Sequence, residues 1–169
     1  MNTPNVLTSL FNYKAWANAA LFAELQKVDA TEHAEQREAA IRLLNHIYVV
    51  DGIFAAHLAG REHACTATNT VETPSLEELH FAVAERDAWY VQYASAVSPA
   101  SLAEQVSFKF TDGLHGTMTR EEMLVHVSTH GAYHRGAVGR IMAQIGTPPP
   151  RDLFTIYLHT TEPARREAA

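Results

Sequence analysis

The chain has 169 residues, of which 47% are hydrophobic and 19% are charged, a composition typical of a soluble globular protein. Its net charge of −6 gives no basic surface for a phosphate backbone, so we expect neither nucleic acid nor anionic membrane as a partner. The single cysteine, Cys65, argues against a disulfide framework and indicates a reducing, cytoplasmic compartment. No run of 18 apolar residues and no signal-peptide pattern occurs, so we expect no membrane span.

Helical periodicity predicts four long helices, which together favour an all-α four-helix bundle with residues 1–169 as one domain. The predicted helices cover residues 4–28, 36–59, 75–97 and 119–146. Thr3 is a candidate cap for the first helix, with Pro4 tolerated at its first position. Thr119, followed three residues later by Glu122, forms a capping box at the start of the fourth helix. Long connectors flank the helices, so a simple up-down-up-down order is not assumed.

The pattern changes between the third and fourth helices. Residues 106–118 alternate apolar and polar side chains around Asp112-Gly113, which predicts a short hairpin or an extended connector. Residues 61–74 have no period and form a connector. The apolar segment 153–158, LFTIYL, is expected to dock on the bundle.

Ten histidines are the compositional excess of this chain, and three of them recur every four residues in the fourth helix: His126, His130 and His134. This spacing stacks the three along one helix face, each turned about 40° from the last. Adjacent pairs can reach one metal ion, whereas the outer pair is about 12 Å apart by helical rise and cannot. One helix therefore supplies two imidazoles at most, and His46, on an apolar face of the second helix, is the best candidate for a third ligand.

Three imidazoles on one ion would leave open positions for water or substrate, which is typical of a catalytic site and suits zinc, nickel or iron. The alternative is that each histidine is an ordinary residue satisfied by hydrogen bonds. His57 either lines the same cavity or faces a partner. Five other histidines are expected to be solvated: His33, His63, His80, His115 and His159. Three arginines are candidates for holding an anionic substrate, or are ordinary solvated side chains: Arg135, Arg140 and Arg151.

Two segments together resemble the DinB family of DNA-damage-inducible proteins, within the wider DinB/YfiT-like group. They are LLNHIYVVDGIF at residues 43–54 and HVSTHGAYHRG at residues 126–136. Tyr133 stands where many family members have another histidine. The resemblance covers essentially the whole chain, including the hairpin with its Asp-Gly turn and the proline-rich exit before the last apolar segment.

The resemblance implies that His46, His130 and His134 bind one divalent ion in a four-helix bundle, that His126 is not a ligand, and that the chain forms a homodimer. Relatives in the wider group include thiol S-transferases and a thiol-dependent isomerase, in which the metal lowers the pKa of a low-molecular-weight thiol. The leading hypothesis is therefore a metal-dependent enzyme of this type that acts on a small molecule in detoxification or stress response. The alternatives are a metal-dependent hydrolase and a non-enzymatic, stress-induced metal-binding module. No catalytic base is identified, because Asp51 is expected to point to a different face.

Overall fold

The computed structural model describes residues 5–166 and confirms the predicted all-α bundle with a hairpin before its last long helix. In chain order the elements are α1 (Val6–Leu25), α2 (Ala34–Leu58), α3 (Leu76–Ala96), the one-turn α4 (Pro99–Leu102), β1 (Gln105–Lys109), β2 (His115–Thr119), α5 (Arg120–Gln144), α6 (Phe154–Thr161) and a 3-10 turn (Pro163–Arg166). The two strands pair antiparallel, with Gln105 opposite Thr119 and Lys109 opposite His115.

Side-chain caps start the long helices. The Asn5 side chain accepts a hydrogen bond from the Thr8 amide at 2.8 Å, so Asn5 caps α1. The caps expected at Thr3 and Pro4 lie outside the described residues. Capping boxes begin α3 and α5, and the one at α5 is the predicted box of Thr119 and Glu122.

In the bundle, α1 and α2 occupy opposite corners, and each packs against both α3 and α5. Phe11 stacks on Tyr90 and Phe22 stacks on His80, so α1 and α3 run antiparallel. The helices therefore do not follow one another around the bundle in sequence order. The long connectors had already argued against a simple up-down-up-down arrangement.

The helices α2 and α3 run parallel, which requires a long return connector. Arg86 lies over the Tyr48 ring, and one turn further on Tyr90 donates a hydrogen bond to the Asp51 carbonyl at 2.7 Å. Residues 59–75 therefore travel back along α2, where the Thr70 carbonyl accepts a hydrogen bond from Arg42 at 2.7 Å. This return path carries the connector directly past His46.

The core consists of two apolar clusters separated by a polar layer. One cluster lies around Phe22, Leu44 and Met142, and the other around Phe11, Phe54 and Met123. Between them, in mid-bundle, lie five buried polar side chains: Lys14, Asn18, Asp51, Asp87 and Arg135. The helix α2 is long and apolar enough to cross a membrane, but 67% of its most apolar window is buried in the bundle, as expected of a central core helix.

Lys14 is the centre of the polar layer. Its ammonium group is 2.7 Å from Asp51 Oδ2 and 2.7 Å from Asp87 Oδ1, and Asn18 donates to the second oxygen of Asp87 at 2.7 Å. Burial lowers the pKa of Lys14, but attraction to the two carboxylates outweighs burial and holds this pKa above its ordinary value. A Cβ atom at Gly131 would lie 3.2 Å from Lys14 Cε, so the glycine lets this charged side chain pass beside α5.

The C-terminal segment docks on α1, as expected for residues 153–158. The rings of Phe154 and Tyr157 lie 5.4 and 6.0 Å from the ring of Tyr13. Asp152 accepts hydrogen bonds from Tyr13 and from Arg135, the latter at 2.7 Å from Nε to Oδ2. The segment is thus held by a buried arginine as well as by aromatic packing.

Candidate metal centre

Three histidines meet where α2 faces α5 at the level of the polar layer. His130 and His134 share one face of α5 because they are four residues apart, and His46 reaches them from α2. One ligand atom from each of the three lies within 4.8 Å of the others. Each side chain is only partly buried, so the cluster lies at the edge of the bundle and one side of it is open to solvent.

The spacing of the ring nitrogens fits ligands of one ion. His46 Nε2 and His130 Nε2 are 3.1 Å apart. Two nitrogens bound tetrahedrally to one zinc ion at about 2.05 Å would be about 3.3 Å apart, which is close to the observed separation. Among residues 5–166 these three histidines are the one group of three or more histidine, cysteine or acidic side chains with this proximity, and no carboxylate belongs to it.

A backbone carbonyl of the return connector fixes the tautomer of His46. His46 Nδ1 lies 2.7 Å from the Thr68 carbonyl oxygen. A carbonyl can only accept, so Nδ1 carries the proton and the Nε2 lone pair faces the other histidines. A hydrogen bond from the second ring nitrogen to a carbonyl is the usual support of a metal-binding histidine.

The histidines on α5 are held in the neutral form that binds metals. Burial, followed by repulsion from His134 and His46, lowers the pKa of His130 to about 3. Burial and then His46 also lower the pKa of His134. Both rings are therefore uncharged at neutral pH, so an ion would not have to compete with a second proton on either ring.

His126 lies one turn below this cluster and does not belong to it. Its ring stacks on His130 at 5.4 Å and packs against Phe54 at 4.6 Å. His130 Nδ1 is buried without a hydrogen-bond partner, and the His130 ring packs against His126. The structure thus brings His46 together with His130 and His134, which are adjacent in the four-residue spacing of α5. Helical rise predicted that an adjacent pair, but not the outer pair, can bind one ion.

Other candidate residues lie elsewhere. Asp51 points away from His46, as its position five residues further along α2 predicted, and it bonds to Lys14 in the polar layer. Arg135 was a candidate for holding an anionic substrate, and this was wrong: its side chain is buried and bonded to Asp152. Of the five histidines expected to be solvated, His115 is exposed. The other four are partly buried: His33, His63, His80 and His159. Among these, His80 packs against Phe22 and His63 against His57.

Sequence reasoning missed the polar layer and the Thr68 carbonyl. A signal for the layer exists, because Lys14, Asp51 and Asp87 each occupy a position that helical periodicity assigns to the core. The sequence contains no signal for the role of Thr68, because the group that bonds to His46 is its backbone carbonyl.

Comparison with known proteins agrees with this architecture. The model of the DinB family matches residues 1–167. The chain belongs to the DinB family. This DinB-family chain is 25% identical over 166 residues to Protein DinB of Bacillus subtilis (strain 168), and the match covers 90% of this chain and 94% of that protein. No solved structure matches it. The family predicted from the two histidine segments is confirmed.

Proposed function

We propose that this DinB-family protein binds one divalent metal ion through His46, His130 and His134, and uses it to activate a low-molecular-weight thiol for transfer to an electrophile. The observation that carries the proposal is the approach of one ligand atom from each of the three imidazoles to within 4.8 Å of the others. A bound ion would supply a deprotonated, nucleophilic thiol at neutral pH. Zinc, nickel and iron all suit a three-imidazole set.

The protein's own residues provide the positioning. Two helices fix the relative placement of the rings, and Thr68 holds the His46 lone pair towards the cluster. The exposed ring of Tyr133 lies 5.1 Å from His134, at the rim where a substrate would enter. These side chains bind and orient, and none of them is assigned a proton-transfer role.

Thiol activation is favoured over hydrolysis by the absence of a base. Water bound to the ion would keep a pKa of about 7, so its attack is helped by a nearby group that accepts its proton. No carboxylate of residues 5–166 belongs to the histidine group, and Asp51 is engaged with Lys14. A thiol needs no such base once it is coordinated, because coordination itself removes its proton.

Elemental analysis tests the ligand set. Protein purified without an affinity tag or metal column is expected to carry about one ion per chain, as one three-histidine site requires. His46→Ala and His134→Ala should lose the ion. His126→Ala is the matched control and should keep it, because His126 shares the α5 face but lies outside the cluster. Wild-type protein that holds no ion after metal loading and dialysis would refute the proposal.

Cobalt substitution tests the thiol step. Addition of 2-mercaptoethanol to the cobalt-loaded protein should produce a thiolate-to-cobalt absorption band, and the loaded protein should accelerate S-alkylation of that thiol by a small electrophile. The His134→Ala variant should do neither. One tightly held ion with no spectral response and no transfer would instead support the non-enzymatic metal-binding module.

We also propose a cytoplasmic homodimer. The location rests on the single cysteine. The dimer is supported by an apolar groove of about 370 Å³ between α1 and α3, lined by the small side chains Ala15, Ala19, Ala84 and Ala88 among others. Light scattering should give twice the chain mass for the wild type and the chain mass for Ala84→Glu, whose charge would lie in the groove.

A further inference from the structure

A second histidine pair lies at the other end of α2, outside the metal cluster. The rings of His57 and His63 are 5.0 Å apart and perpendicular in arrangement. They line a cleft of about 520 Å³ between the end of α2, the return connector and the hairpin. His57 Nε2 and His63 Nδ1 are both buried, and neither has a hydrogen-bond partner.

Neither ring makes a hydrogen bond within residues 5–166 of the protein, so both keep hydrogen-bonding capacity beside the cleft. A buried polar atom without a partner costs free energy, and native structures contain few of them. Each imidazole can present an N–H group by choice of tautomer, since one ring nitrogen of a neutral histidine is a donor. Each of the two rings can therefore present one N–H to a group bound in the cleft.

The other lining residues decide the charge of that group. Arg61 and Lys109 line the same cleft and Glu62 is its one acidic residue, so the cleft is basic although the chain has a net charge of −6. Cys65 also lines it, but His57, His63 and Cys65 do not form a group with ligand atoms within 4.8 Å. Two cations and the absence of a third nearby ligand both favour an anion over a metal ion.

We propose that this cleft binds a carboxylate or phosphate group, with His57 and His63 as hydrogen-bond donors and Lys109 as the attracting charge. The site is built from three separate parts of the chain. The histidines come from α2 and the connector, and the lysine comes from β1 of the hairpin.

A row of aromatic rings connects the cleft with the metal cluster, and its last member, His126, stacks on the cluster residue His130. The Phe54 ring lies 6.2 Å from His57 on one side and 4.6 Å from His126 on the other. Thr68, whose carbonyl orients His46, lines a smaller cavity together with Phe54 and His57. His46 and His57 are separated by about 16 Å of helix.

These positions define a substrate class, and this step rests on the proposed function. The substrate would be an elongated thiol with an uncharged middle and an anionic group, long enough to span the separation of about 16 Å between His46 and His57 along α2. The thiol would lie at the cluster, the middle along Phe54, and the anion between His57 and His63.

Titration with inorganic phosphate tests the anion site through the signals of two histidines that lie outside the cluster. In zinc-loaded protein the imidazole NMR signals of His57 and His63 should shift saturably with phosphate, and not with chloride at equal ionic strength. Lys109→Gln should weaken the binding about tenfold, as expected for one lost charge-assisted contact. Lys27→Gln, at an exposed lysine paired with Glu24, is the matched control and should leave it unchanged.

The outcomes separate this site from the metal proposal. Normal metal content with no saturable phosphate shift, or with a shift that Lys109→Gln does not weaken, overturns the anion site alone. A second equivalent of metal that shifts the same two rings would also overturn it. If the protein bound no metal ion, the shifts of His57 and His63 with phosphate should still be observed.

The substrate class is tested with coenzyme A, whose thiol is joined to its phosphates by a long uncharged arm. Its affinity for cobalt-loaded protein should fall about tenfold in Lys109→Gln, whereas that of uncharged 2-mercaptoethanol should not change. Equal effects on the two thiols, or none on either, would contradict the proposed class.

Discussion

At the scale of single residues, two buried aspartates differ although both bond to Lys14. Asp87 accepts one hydrogen bond on each carboxylate oxygen, from Lys14 and from Asn18. Asp51 accepts from Lys14 on Oδ2 only, and its Oδ1 is buried without a partner. Burial raises the pKa of Asp51 to about 6, against the opposing effect of Lys14. Asp51 is therefore the less well compensated of the two acids.

We expect Asp87→Asn to destabilise the protein by about 2 kcal/mol more than Asp51→Asn at pH 8. An amide at position 87 would point a donor either at Asn18 or at Lys14, which already donate there. An amide at position 51 can keep its oxygen on Lys14 and removes a poorly compensated charge. Urea unfolding of both variants measures the difference. Equal losses would show that the unpaired oxygen has no energetic consequence.

At the scale of elements, the start of α5 is set by its own sequence. Thr119 and Glu122 cap each other's backbone groups, and Ser75 with Glu78 forms the same box at α3. The first histidine of the cluster, His130, lies eleven residues beyond Thr119. Fraying of the first turn of α5 would therefore not reach the site.

Thr119→Ala should cost about 1 kcal/mol of stability and leave the metal content unchanged. Ser75→Ala is the matched control, because it removes the same cap from a helix that carries no histidine of the cluster. Thermal unfolding and elemental analysis measure the two effects. Loss of metal in Thr119→Ala alone would show that the whole of α5 responds to its first turn.

Whether the sequence predicted a structural feature depended on the range of the interactions that form it. Caps, helical periods and the Asp-Gly turn act within a few residues, so the helices and the hairpin were predictable. The apolar helix face of His46 made it a candidate partner of the α5 histidines, and the family resemblance then specified the pairing across 84 positions of sequence. The contacts of Thr68, Lys14 and Asp87 form only when helices and connector have packed, and no local pattern predicts them.

At the scale of the whole molecule, the metal-free protein should lose stability as the pH falls below about 6.5, the ordinary pKa of histidine. The pKa values of four described histidines are lowered, chiefly by burial, in the fold: His57, His126, His130 and His134. An unfolded chain binds protons at these positions in a pH range where the folded chain does not, so acid favours unfolding. Asp51 acts in the opposite sense. Because its pKa is raised in the fold to about 6, its contribution to stability is present in acid and is lost as the pH rises towards that value.

Four histidines outweigh one aspartate, so we expect a lower melting temperature at pH 5 than at pH 7 with a chelator present. A loaded ion should raise the free energy of unfolding at pH 7, by about 2.7 kcal/mol at a metal concentration 100 times the Kd. That gain should shrink in acid because protons compete for the ligands. A metal-free protein that becomes more stable on acidification would contradict the assignment of these histidines as neutral in the fold.

The polar layer also constrains how this chain can change by descent. Loss of Lys14 alone would leave two buried carboxylates without their cation, a change that costs about 3–5 kcal/mol of the 5–15 kcal/mol typical of a folded domain. Replacement of the whole group by apolar residues of similar volume carries no such penalty. Single-step mutation therefore meets a barrier at Lys14 and Asp87 that joint replacement avoids, and lineages should inherit these two charges together or lack both.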